Sequence, residues 1–156
     1  MHLFVDNLTN VDFSYLHETR GLVGETWLAS VVLEGDLDNQ GMVCDFGVVK
    51  KMLREWLDEQ LDHRLLVPID SEALKTMESH NDSLEITWGK DKNTSITSIS
   101  PAQAIAQVEA RSIDPQSVAR WCIDQLSPQF PASVKQLSLR FEIETIDGPF
   151  YHYSHG

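Results

Sequence analysis

The sequence predicts an α+β domain, and three patterns carry that expectation. Phe46, Val49, Met52, Leu53, Trp56, Leu57 and Leu61 recur at three- and four-residue steps, the apolar stripe of an amphipathic helix. Asp114-Pro115 opens a second helical segment on which Val118, Trp121, Cys122 and Leu126 share a face. Leu137, Leu139, Phe141 and Ile143 alternate with Ser138, Arg140, Glu142 and Glu144, the period-two pattern of a half-buried strand.

Taken in chain order, Glu25 to Leu33 is rich in Trp, Val and Leu and reads as a strand. Gly35-Asp36-Leu37-Asp38-Asn39-Gln40-Gly41 supplies turn residues after it. Asp45 is a suitable N-cap for the first helix, which runs to about Leu61 with Lys50, Lys51, Arg54, Glu55, Asp58 and Glu59 on its polar side. Residues 66–100 are less regular. Leu84-Glu85-Ile86-Thr87-Trp88 alternates like a strand, the polar run Lys90 to Ser95 reads as loop, and Pro101 to Val108 is expected to form a short helix. Residues 67–113 make a long insertion between the two main helices, and no catalytic signature falls within it. Pro128 marks the end of the second helix, and a strand from Val134 to Thr145 follows. Asp147-Gly148-Pro149 then turns the chain into a last strand beginning at Phe150-Tyr151. The order is strands, helix, insertion, helix, strands, with no internal repeat.

A chain of 156 residues fits one domain, taken as 1–156. Twelve Lys and Arg stand against 24 Asp and Glu, a formal charge of -12. That balance disfavours nucleic acid and anionic membrane surfaces as partners, because both demand concentrated positive charge. Cys44 and Cys122 are too few for a disulfide framework and lack Cys-x-x-Cys spacing, which points to reduced thiols in a cytoplasmic protein. The N-terminal Met1 to Asp6 lacks the basic start of a signal peptide, and no apolar run reaches the ~20 residues of a membrane span. The tryptophans suit core or subunit contacts, since no basic residues interleave them as in a base-stacking platform.

Four segments in register resemble the 6-pyruvoyl-tetrahydropterin synthase / 6-carboxytetrahydropterin synthase family. Gly41-Met42-Val43-Cys44-Asp45-Phe46 resembles the family's G-(M/W)-(V/I)-x-D-F before its first helix. Leu61-Asp62-His63-Arg64-Leu65-Leu66 resembles its LDH-x-x-LN at the far end of that helix. Pro115-Gln116-Ser117-Val118-Ala119-Arg120-Trp121 resembles the PTxExxAxW opening of its second helix, and Glu144-Thr145 its ET pair. The resemblance covers nearly all the chain except the 67–113 insertion. It implies the tunnelling (T) fold, a ββααββ unit whose sheets pair into barrel-shaped homo-oligomers. It also implies a zinc ion held by three histidines, a carbon–oxygen or carbon–carbon lyase acting on dihydroneopterin triphosphate in pterin or deazapurine metabolism, Asp and His assisting a cysteine in proton transfers, and a glutamate anchoring the pterin ring.

The chain departs from that pattern at the metal. Under the resemblance the first zinc histidine falls near Ser14, and the family's His-Gly-His falls on Val23-Gly24-Glu25. Ser, Val and Glu do not make a three-nitrogen zinc site, and no cysteine lies upstream of Val23. The expectation is therefore a T-fold shell with no zinc of its own, although zinc is the family's metal. Tyr151-His152-Tyr153-Ser154-His155 resembles the F-x-A-A-H strand that begins a T-fold module, so a longer tandem protein is one expectation. His155 would ligate metal only if the chain continued past Gly156.

Each candidate residue has two readings. Asp62 and His63 are either a proton relay, in which the carboxylate orients the imidazole, or a helix-terminal cap favoured by the dipole. Glu144, with Thr145 beside it, either accepts hydrogen bonds from a pterin- or purine-like ring or belongs to a solvated strand face. His2, His17, His80 and His152 have no ligand-like spacing and read as surface residues, and Cys122 as a small core hydrophobe. Two functions follow: a degenerate pterin lyase with Asp62 and His63 as its proton-handling residues, or a zinc-free module that binds a ring through Glu144 or scaffolds assembly.

Overall fold

Nine strands and two α-helices order the described residues of the computed structural model, which are 2–35, 46–130, 134–143 and 151–155. In chain order they are β1 (His2–His17), β2 (Gly21–Gly35), α1 (Phe46–Gln60), β3 (Leu65–Pro68), β4 (Leu74–His80), β5 (Ser83–Trp88), β6 (Ile96–Pro101), β7 (Ile105–Val108), α2 (Pro115–Leu126), β8 (Val134–Ile143) and β9 (Tyr151–His155). The α+β expectation holds. Asp45, Glu144, Thr145 and the turns at 36–41 and 147–149 lie outside the described residues.

The chain divides into two compact units, and β1 and β2 each contribute to both. The first unit comprises Met1–Val11, Thr26–Glu59 and Pro115–Gly156. Here β2 pairs antiparallel with β8, from Trp27 opposite Ile143 to Gly35 opposite Val134, and β8 pairs antiparallel with β9. Ala29 and Val31 on β2 and Phe141 on β8, the strand read from its alternation, are out of water, and the rings of Trp27 and Phe141 lie 5.4 Å apart. Helix α2 packs on β8 and β9 with Val118, Ala119, Trp121, Cys122 and Leu126 buried. Leu53 and Leu57 on α1 are fully buried, and Trp56 meets Trp121 at 5.8 Å. Arg54 reaches back with its guanidinium and donates to the Leu8 carbonyl at 3.2 and 3.3 Å. Burial pushes the Cys122 thiol well above its usual range, so it stays a protonated, unreactive hydrophobe.

The second unit comprises Asp12–Glu25 and Gln60–Asp114. The end of β1 pairs with β3 through Ser14–Leu65 and Tyr15–Leu66, and β3 pairs with β7 through Leu65–Ile105 to Pro68–Val108. Both pairings are parallel, and their short apolar runs (LLVP and IAQV) match strands that are largely covered. The insertion is thus ordered β-structure. β4, β5 and β6 form a separate antiparallel sheet, and Leu84, Ile86 and Trp88 on one face of β5 bury with Leu16, Val67 and Ala73. The Trp88 indole N–H donates to the His17 carbonyl at 3.0 Å, anchoring this sheet to the β1–β2 hairpin.

One reading changes, and one strand is added. Pro101 to Val108 is not a helix: Pro101 ends β6, Ala102–Ala104 make a single 3₁₀ turn, and Ile105–Val108 are β7. Eight residues cannot bury a helical stripe of their own, whereas Ile105 and Val108 gain ladder hydrogen bonds beside β3. Residues 2–17, for which the sequence predicts no element, form the sixteen-residue strand β1. Gly89 is needed where it stands, because φ is +131° and a Cβ would meet the Ser95 Cα at 2.8 Å.

Candidate functional site

Two places in the second unit carry the side chains weighed first, the β1–β2 turn and the end of α1. Strand alternation puts Phe13, Tyr15 and His17 on one face of β1, with successive ring centroids 6.2 and 6.3 Å apart, and turns Ser14 to the other. Tyr15 is 6% exposed. Burial, and then the charge of Glu25, raise its hydroxyl above the usual tyrosine value against a smaller opposing effect of Arg20, so the phenol stays protonated.

His17, expected at the surface, is half-buried and structurally committed. Its Nδ1 accepts the backbone N–H groups of Thr19 and Arg20, each at 3.1 Å, closing the turn between the strands. An amide N–H can only donate, so Nδ1 is the bare nitrogen and the ring proton sits on Nε2. Glu18 beside it is held ionised, its carboxyl drawn below the usual range first by hydrogen bonding to Lys90 and by that ammonium's charge. The Lys90 Nζ lies 3.2 Å from Glu18 Oε2, and the Ser71 hydroxyl donates to Oε1 at 3.3 Å. A cavity of about 130 Å³ opens here, lined among others by Tyr15, His17, Glu18, Trp88, Arg111 and Ile113.

Asp62 and His63 sit immediately after α1, where a helix exposes unpaired carbonyls. His63 takes the left-handed conformation, φ 56°, that ends helices and that glycine or asparagine usually fills. This reversal brings the chain against β1: the His63 N–H donates to the Asp12 carbonyl at 2.6 Å, and the Asp12 N–H donates to Asp62 Oδ1 at 2.9 Å. The Ser14 N–H continues the stitch to the Arg64 carbonyl at 3.1 Å. Asp62 Oδ2 lies 3.4 Å from His63 Nε2, with the Asp62 side chain 21% and the imidazole 76% exposed. The carboxylate thus anchors β1 through Oδ1 and faces the imidazole through Oδ2. Asp12, Asp62 and His63 also hold ligand atoms within 4.8 Å of one another.

The structure places Asp62 and His63 together. Glu144 and Thr145 lie outside the described residues, and His155 stands on β9 in register with Leu139. The imidazole on the Tyr15 face of β1 is His17 rather than anything at Ser14. The signal was available, since Phe13-x-x-x-His17 has the same aromatic-to-histidine spacing as Tyr151-x-x-x-His155. A three-nitrogen zinc site does not fit this hairpin: His17 would have to surrender two hydrogen bonds at Nδ1 or its proton at Nε2, Val23 has no donor, and Glu25 offers only oxygen.

Comparison with known proteins finds one family, described as 6-pyruvoyl tetrahydropterin synthase, matching residues 13–147. A Pyrococcus horikoshii protein with a provisional 6-carboxy-5,6,7,8-tetrahydropterin synthase name is 23% identical over 130 residues, 83% of this chain and 73% of its own length. The 6-carboxy-5,6,7,8-tetrahydropterin synthase of Rickettsia bellii is 37% identical over 67 residues, 42% of this chain and 45% of that enzyme. Among solved structures, the 6-pyruvoyltetrahydropterin synthase of Plasmodium vivax superposes with a TM-score of 0.74 at 19% identity, over 99% of this chain and 97% of that one. The Plasmodium falciparum enzyme gives 0.72 at 16%, over 98% and 97%. These structural likenesses establish a shared fold.

Proposed function

The chain belongs to the 6-pyruvoyl tetrahydropterin synthase family, and on that premise we propose that it is a T-fold module that binds a pterin- or purine-like ring without the family's zinc chemistry. The observation that carries this reading is the donor set of the β1–β2 hairpin. The His17 imidazole beside the turn is tied at Nδ1 to the Thr19 and Arg20 amides, and Val23 and Glu25 stand where the resemblance expects histidines. Ring recognition needs no metal. A carboxylate at Glu144 would accept from the ring N–H and amino group together, and Thr145 would add a hydroxyl. Self-association belongs to the same proposal, because barrel closure satisfies open sheet edges.

A second reading keeps turnover. The Plasmodium vivax neighbour is known through mutation of a catalytic glutamate, so a thiol is not the only group available to such a site. Asp62 and His63, at the end of α1, are the proton-handling pair such a pterin lyase would use, and Glu18, ionised at the cavity edge, is a separate carboxylate at the β1–β2 turn.

Calorimetric titration with neopterin in excess chelator separates the two. Binding should persist in chelator, and Glu144→Ala should weaken it about ten- to a hundredfold, equivalent to the ~1.5–3 kcal/mol of charge-assisted hydrogen bonds. Pterin turnover that requires added zinc and disappears in His63→Ala would sink the binding-only reading.

A further inference from the structure

The insertion holds a group of side chains that ring binding leaves unused. We propose that Glu78, His80 and Glu85 form a site for a borderline divalent transition ion, zinc first among them, on the solvent face of the β4–β5–β6 sheet. The antiparallel register sets Glu78 directly opposite Glu85 and His80 opposite Ser83, so all three candidate ligands project from one face. The other face of β5 carries the buried Leu84, Ile86 and Trp88, which keeps the ligands on a packed, rigid element. The Ser83 hydroxyl donates to the His80 carbonyl at 3.0 Å and holds the hairpin end closed.

His80 Nε2 lies 3.0 Å from Glu85 Oε2 and 3.6 Å from Glu78 Oε2. One donor atom from each of the three residues falls within 4.8 Å of the others. Opposed like charges on paired strands repel, and among the described residues no Lys or Arg pairs with either glutamate. The imidazole cannot serve both, because a single Nε2 proton donates to one carboxylate at a time. A divalent ion can. At zinc's usual ~2.0–2.2 Å from nitrogen and oxygen ligands, tetrahedral donors stand roughly 3.3–3.5 Å apart, and the observed 3.0 and 3.6 Å bracket that spacing. Neutral imidazole with carboxylates suits zinc and its neighbours better than magnesium or calcium, which favour all-oxygen shells. Side-chain exposures of 62% for Glu78, 53% for His80 and 33% for Glu85 leave a fourth position open to water. The site lies in the 67–113 insertion, apart from the four segments that resemble the family's motifs.

The test is competition titration of the 156-residue chain with Zn²⁺ against a chromogenic chelator above pH 7, repeated with Co²⁺ so that the visible spectrum reports coordination. One equivalent should bind. His80→Ala and Glu85→Gln should each weaken it by at least about a hundredfold, the upper end of what even outer-shell changes cost. His17→Ala and His63→Ala should leave the equivalent in place. No uptake by the unaltered chain would overturn the site, and so would uptake that survives His80→Ala or is lost only with His63→Ala. Should His80→Ala change the circular dichroism spectrum, Glu85→Gln carries the test.

Discussion

Asp62 is the residue whose two readings diverge most sharply in their consequences. Its Oδ1 accepts the Asp12 amide at 2.9 Å while Oδ2 faces His63 at 3.4 Å. Asp62→Ala removes the side-chain acceptor of the Asp12 backbone N–H at an exposed position, so we expect about 0.5–1 kcal/mol of lost stability in urea unfolding, whether or not any reaction is measured. His63→Gly should behave differently. Glycine relieves the left-handed strain at φ 56° but adds unfolded-state freedom, and the two nearly offset, leaving stability within about 0.5 kcal/mol. Equal losses at both positions would mean the imidazole itself holds the helix end. The Leu-Asp-His motif was legible in the sequence, but the Asp12 contact was not, because 50 residues separate donor from acceptor.

At the scale of elements, the β1–β2 turn is tied to the insertion by Glu18, Lys90 and Ser71. Glu18 has a carboxyl pKa below its ordinary value in the folded chain. A depressed folded value adds stability that is present above the unfolded value and lost as pH falls through the folded one. The contribution should therefore fade below about pH 4.5, the ordinary glutamate value. Melting temperatures recorded from pH 6 down to pH 3 should fall less steeply in Lys90→Met than in the unaltered chain. Parallel curves would show that the pair is too solvated to matter. Neither partner stood out beforehand, since an isolated Glu and Lys carry no pattern until a fold brings them together.

For the whole molecule, family membership rests on residues 13–147, and the fold on a TM-score of 0.74 across nearly the full chain. The proposed association has a direct readout. Light scattering should return a mass that is a multiple of 17.7 kDa, and one chain mass at working concentration would remove assembly from the functional proposal. Among the described residues, strand β9 pairs only with β8, and β4 and β6 border their own sheet, edges that a second copy would satisfy.

The sequence by itself determined the α+β class, both main helices, the alternation of β5 and β8, the acidic character and the family. Each of these depends on residues close together in the chain or on motifs of fixed spacing. Only the tertiary structure decided that the 67–113 insertion is strands, that β3 and β7 pair in parallel, and that Ile105–Val108 extends instead of coiling. It also decided which nitrogen of His17 is engaged and that Glu78, His80 and Glu85 converge. The physical reason is common to these cases. A helix satisfies its backbone four residues away, whereas a strand draws its hydrogen bonds, and a surface site its geometry, from partners whose register is set only when distant segments meet.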